Sequence, residues 1–294
     1  MSGTPFVSTL STGGFLALAG AGFRPLGTVQ GNSVVSFGYQ QRPRSRRIRG
    51  LSPRWIEGVG SPRGGGGAST LYYPKGSEAA QQYLNEGGWF AFEGRTAAYN
   101  DARTNALERL GAAAREAGAV AVVDVQLRRG RFGRTEHAIE FTALGTAVTS
   151  DRFEPEENDP VPIVSLSGTE FWKLVEAGVW PLGVVGGSCV GFVMSGFRTK
   201  FARNRLTYRS RRNQEFVDYT DGLRTARLQA AGRLRREATK LGASGVVGVS
   251  VDRELKEQRD DNLLVTIDLL GTAVAPLEHS APPSVACALG LGKA

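Results

Sequence analysis

The chain has 294 residues, 41% of them hydrophobic and 22% charged, with a net charge of +8. That much apolar material supplies one large core or two ordinary ones and excludes a disordered tail. No run approaches the roughly 18 apolar residues of a membrane span. The Met-Ser-Gly-Thr-Pro start has none of the marks of a secretory signal, and two cysteines, Cys189 and Cys287, exclude a disulfide-built scaffold. A cytoplasmic location is the expectation.

In chain order, a short strand ending near Leu10 leads into a helix that Gly22 and Pro25 stop. A strand follows from Leu26 to Phe37. The segment Gln41–Gly76 then carries eight basic residues and one acid, Glu57. A long helix is predicted over Thr96–Ala117, where Ala102, Ala106, Leu107, Leu110 and Ala114 recur at helical spacing. Gly118 terminates it. Two alternating strands close the series, one with Val123, Val125 and Leu127 on a shared side, the next with Ile139, Phe141 and Ala143. Their other sides carry polar residues such as Glu140 and Thr142. The run 151–160, rich in acids and proline, has the composition of a solvated linker.

The series then starts again. Leu10-Ser11, Phe15, Leu18, Ala21-Gly22, Pro25-Leu26-Gly27, Val29 and Gly31 recur without a gap as Leu166-Ser167, Phe171, Leu174, Ala177-Gly178, Pro181-Leu182-Gly183, Val185 and Gly187. In the second copy Ser167 and Glu170 have the spacing of a capping box. A strand over Leu182–Val193 leads to a second basic segment, Arg198–Arg212, with seven basic residues and no acid. A helix over Asp221–Leu241 comes next. Gly242-Ala243 answers Gly118-Ala119, Val247, Val249 and Val251 answer the first closing strand, and Val265, Ile267 and Leu269 the second. Leu270-Gly271-Thr272-Ala273-Val274 answers Leu144-Gly145-Thr146-Ala147-Val148. The chain divides into repeat 1 (1–150, with a Gly/Arg-rich insertion at about 41–83), a linker (151–160), repeat 2 (161–276) and a flexible tail (277–294). Each repeat is an α+β two-layer unit, an antiparallel sheet packed on one long helix. The other sheet face is left for water or another subunit.

The Gly-Ala-x-x-Val-Val-x-Val block, the strand ending Gly-Thr-Ala-Val, the Pro-Leu-Gly-x-Val-x-Gly strand, and Ala102-Arg103 and Ala226-Arg227 in the long helices resemble the YbjQ-like family. These are small bacterial domains labelled heavy-metal-binding. The resemblance covers nearly all of both repeats but not Gln41–Tyr83, the linker or the tail. It implies a dodecin-like α+β fold that assembles into rings, pentamers in typical members. A tandem chain could give each copy its own ring or alternate the copies around one ring.

The residues themselves offer little chemistry. Soft-metal sites need clustered thiolates or imidazoles, whereas this chain has His137, His279 and two separated cysteines, so no metal site, cofactor or catalytic residue is assigned. Gly64–Gly67 has no following Lys-Ser/Thr and is not a phosphate cradle. Glu140 and Asp268 do not align between copies, so no repeated acid–base pair emerges. Arg103 and Arg227 are a charge shared by the two helices, suited to a neighbouring carboxylate or carbonyl, or to an anion. The basic segments occupy the same topological place in both copies. Arg42, Arg44, Arg46, Arg47, Arg49, Arg198, Lys200, Arg203, Arg205, Arg209, Arg211 and Arg212 are therefore candidate anion-binding residues. Trp55, Tyr72, Tyr73, Phe201 and Tyr208 accompany them. The expected role is a non-enzymatic, ring-forming homo-oligomer that scaffolds or binds. The alternatives are a binder of nucleic acid, polyphosphate or acidic lipid, and a small-molecule or metal site between subunits.

Overall fold

The computed structural model describes residues 7–37, 53–55, 72–74, 87–131, 138–151, 153, 160–203, 213–258 and 261–277. Repeat 1 holds α1 (Thr12–Gly20), β1 (Phe23–Ser36), the short pair β2 (Pro53–Trp55) and β3 (Tyr72–Pro74), β4 (Gly88–Ala91), α2 (Glu93–Glu116), β5 (Ala121–Arg131) and β6 (Ala138–Ser150). Repeat 2 holds α3 (Gly168–Glu176), β7 (Val179–Met194), α4 (Phe197–Arg203), α5 (Val217–Lys240), β8 (Gly245–Glu257) and β9 (Leu263–Pro276). The fold is α+β, with antiparallel sheets in both repeats.

Sequence similarity becomes identity of register. Val29 of β1 faces Gly145 of β6, and Val185 of β7 faces Gly271 of β9. Both first strands shift register after the Pro-Leu-Gly start, between Pro25 and Gly27 and between Pro181 and Gly183. One sheet has the order β1-β6-β5. The other has the order β4-β7-β9-β8, so it takes its outermost strand from repeat 1.

Each long helix lies across its own sheet on a stripe of small residues: Ala102, Ala106, Leu110 and Ala114 in α2, Ala226, Ala230, Leu234 and Ala238 in α5. Alanine lets the backbones approach, and the strand beneath must yield too. Gly31 lies against the Ala106 carbonyl and Leu110 amide, Gly187 against the Ala230 carbonyl and Leu234 amide, with no room for a Cβ. Ile139, Phe141 and Ala143 face α2, and Val265, Ile267 and Leu269 face α5, as their alternation predicts. Burying each larger aliphatic side chain contributes about 1.5–3 kcal/mol. A third cluster joins the short helices α1 and α3 with Phe23, Val123, Val148, Val164 and Phe171.

The first closing strand departs from simple alternation. Val123 faces the α1/α3 cluster, whereas Val122, Val125 and Leu127 face α2, so Val123 does not share a side with the other two. The cause is a bulge between Val123 and Gln126, with Asp124 at φ 53°. It recurs between Val247 and Ser250, where Gly248 supplies the positive φ (62°) at no steric cost. Both long helices begin about a turn earlier than their apolar spacing predicts. They start after Phe92 and Phe216, with Glu93 and Asp218 in the first turn, where an acid suits the helix dipole. The capping box at α3 forms as expected: the Ser167 side chain accepts from the Glu170 amide, and Glu170 accepts from the Ser167 amide at 2.9 Å. Those Ser167 bonds hold the Glu170 carboxyl below its usual range.

Candidate interaction site at the junction between the repeats

Repeat 1 and repeat 2 are joined by backbone as well as side chains. β4 pairs antiparallel with the end of β7, Gly88 opposite Met194 and Ala91 opposite Gly191. The Trp89 indole lies over Gly191, in space a side chain there would occupy. Exchange also runs the other way. The start of repeat 2 lies along the edge of β5, with a parallel bridge between Val122 and Ile163. The Val122 amide donates to Pro162, Val125 to Val164 and Asp124 to Leu166, while Val164 donates back to Val122.

The adjoining stretch of the β7 edge, from Gly186 to Val190, is closed by helix side chains. The Val190 amide donates to Thr96 Oγ1 at 3.0 Å, the Ser188 amide to Asn100 Oδ1 at 3.0 Å and the Gly186 amide to Glu237 Oε2 at 2.8 Å. Geometry explains why Thr96 and Asn100 fit this task. Four residues of helix rise about 6.0 Å and two residues of strand about 6.6 Å, so an i, i+4 pair on α2 tracks alternate amides of β7. No outward edge amide from Gly186 to Val190 is left open.

Charge is matched across the same junction. Arg103, buried in α2, pairs with Glu237 of α5 and donates to Asn100 at 3.1 Å. Arg129 of β5, 14% exposed, meets Asp268 of β9, Glu254 at 3.2 Å and Asp252 at 3.2 Å. Arg233 donates to Glu93 at 2.9 Å. Burial raises the Asp268 carboxyl above its usual range, and Arg129 pulls it back down. A cavity of about 50 Å³ opens beside Arg95, Tyr99, Val190, Glu254 and Thr266, room for little more than a water or two.

The residues singled out from sequence are placed unevenly. Arg103 is in the junction, and its counterpart Arg227 is exposed. On α4, Arg198 is exposed and Lys200 half-buried, while Arg203 turns back to Glu257 and Asp261 at 3.1 Å each and to the Tyr219 hydroxyl. Arg42, Arg44, Arg46, Arg47, Arg49, Arg205, Arg209, Arg211 and Arg212 lie outside the described residues, as do His137, His279, Cys287, most of the insertion and nearly all of the tail. Thr96, Asn100, Arg129 and Glu237 were not singled out. The available signal was Trp89-Phe90-Ala91-Phe92, an apolar run that repeat 2 replaces with Asn213-Gln214-Glu215-Phe216.

Cys189 occupies the strand position of Ser33, and both are buried. Its thiol donates to Gln229 Oε1 at 3.2 Å, and burial pushes it up to about 11. At pH 8 only about one thiol in a thousand is then thiolate. Cys189 is expected to resist alkylation in the native protein and react fully once unfolded. Peptide mass spectrometry checks this; fast native labelling would contradict it.

Two copies of one α+β unit, each lending a segment to the other, define a tandem-repeat protein organised around an internal interface. Comparison with known families agrees: the chain belongs to the YbjQ family, whose model carries the description "Putative heavy-metal-binding" and matches residues 91–151 and 185–276. It is also 29% identical over 251 residues, 83% of this chain and 76% of its relative, to the "Encapsulin nanocompartment protein Rv1762c" of Mycobacterium tuberculosis (strain ATCC 25618 / H37Rv). The described side chains do not suit the metal of the family description. Among the described residues no group of three His, Cys, Asp or Glu is placed to hold an ion. Where Asp252, Glu254 and Asp268 approach one point, the Arg129 guanidinium already supplies the cation. No helix among the described residues is long and apolar enough to cross a membrane.

Proposed function

We propose that this chain is a non-catalytic assembly module that associates with an encapsulin nanocompartment and does so as a homo-oligomer. The observation that carries the reading is similarity along 83% of the chain to a relative named for such a compartment. The described side chains support it by building an interface rather than a cleft, since the cavity at the junction is too small for an ordinary substrate. Co-expression with an encapsulin shell protein tests it. The chain is expected to sediment with shell-sized particles and resist added protease there, and a chain that stays free and digestible would overturn the reading.

A second reading, polyanion binding through the Arg-rich segments, draws support from Arg198, which is exposed on α4. The same preparation tests it, because bound nucleic acid would raise the 260/280 nm absorbance ratio and leave with salt.

A further inference from the structure

The junction inside the chain has no two-fold symmetry, because the two repeats meet through different surfaces. Repeat 1 contributes α2, β4 and the edge of β5; repeat 2 receives them with the edge of β7 and the segment 161–166. In a two-fold arrangement, Val246 would bridge Val7 just as Val122 bridges Ile163. It does not, and Val7 is 68% exposed. Repeat 2 therefore still carries a contributing surface, and repeat 1 a receiving one. A contact without two-fold symmetry between equivalent units continues by adding units.

The open surfaces show what they lack. Val125 is 4% exposed where residues 161–166 run beside it, while its counterpart Val249 is 51% exposed, and Val251 beyond it 57%. β8 is a 13-residue strand on the outside of its sheet with apolar side chains in the open, the arrangement that invites strand addition. On the other end of the chain, Val34 of β1 is 43% exposed, whereas its counterpart Val190 is buried under α2.

We infer that a second copy of this chain docks head to tail on these surfaces. Residues 7–10 of one copy lie along β8 of the next, as 163–166 lie along β5, and the β1 edge receives α5. The inference rests on the homo-oligomer reading above and sets its geometry. Because the two repeats alternate along such an assembly, a closed ring holds an even number of repeats, and a ring of five repeats is excluded.

The contact between chains is a weaker version of the one within. Glu237 is answered by Ala113, Asp268 by Thr142 and Gly186 by Gln30. Arg227 and Arg253 thus arrive where Arg103 and Arg129 would, without carboxylates at the matching places. Association is expected in the micromolar range and to hold or strengthen as salt screens the arginines.

Sedimentation of the full chain across the micromolar range tests the docking. Val7→Asp and Val249→Asp are each expected to weaken association roughly tenfold or more, because an unpaired carboxylate would be buried on contact. Both positions are exposed in the single chain, so unchanged circular dichroism and thermal unfolding should accompany the loss. The double variant Ala113→Glu/Thr142→Asp is expected to tighten association by about tenfold. A parent chain that remains at 31.4 kDa throughout, or valine variants that associate as the parent does, would overturn the inference. Shell co-sedimentation by a single chain would overturn the docking and the homo-oligomer reading and leave the nanocompartment association standing, whereas oligomers that both valine variants leave intact would overturn the docking alone.

Discussion

Arg129→Ala is expected to destabilise the folded chain by about 3 kcal/mol, the lower end of the range for removing one partner of a buried ion pair. The guanidinium lies 14% exposed between the repeats and meets three carboxylates, of which Asp268 is 17% exposed. Without Arg129 the buried Asp268 carboxylate loses its cation and is left beside Glu254 and the exposed Asp252. The loss should shrink on acidification. The Asp268 carboxyl already sits above its usual range through burial, with Arg129 opposing, and removal of Arg129 raises it further. A folded-state carboxyl raised above its unfolded value adds stability that is complete below the unfolded value and disappears as pH rises through the folded one. The variant therefore recovers toward the parent as pH falls through the carboxylate range. Urea unfolding at several pH values checks this, and a deficit that grows on acidification would contradict it.

A similar loss, about 3 kcal/mol or more, is expected from Gly187→Ala, because the added methyl would fall on the Ala230 carbonyl and Leu234 amide. Backbone cannot swing aside as a long side chain can. The helix must lift from the sheet, opening contacts along Ala226, Ala230 and Leu234. Gly232→Ala supplies the contrast. That glycine lies inside α5, and a Cβ there meets only the Arg236 side chain at 3.6 Å. It should gain about 0.5–1 kcal/mol from helix propensity. Thermal unfolding of the two variants should move in opposite directions; a shared direction would contradict the close-approach account.

The internal repeat carried most of the fold in plain view, because helices and strands are built from local periodicity and both copies obey the same pattern. Two things escaped it. The bulge at Asp124 and Gly248 inserts one residue out of step, so Val123 changes sides without any change in hydrophobic character. The exchange of β4 was hidden for another reason. Trp89-Phe90-Ala91 has no counterpart in repeat 2, and self-comparison is blind to what only one copy has. The junction shows the same limit. Arg103 stood out because Arg227 repeats it, but its partner Glu237 answers to Ala113, and Arg129 finds acids only in repeat 2. Trp89, Asn100, Glu237 and Asp268 hold the copies together and are also positions where one copy differs from the other, so the repeat carries no sign of them.

The lent strand also sets a clock on synthesis. β4 leaves the ribosome with repeat 1, yet the strand that receives it ends at Met194, about a hundred residues later. At ordinary elongation rates of 5–20 residues per second that is a gap of roughly 5–20 s. Through that interval the nascent chain holds Trp89 without the repeat 2 core on which it packs. The same strand of another nascent chain, or a chaperone, has time to arrive before its proper neighbour is made.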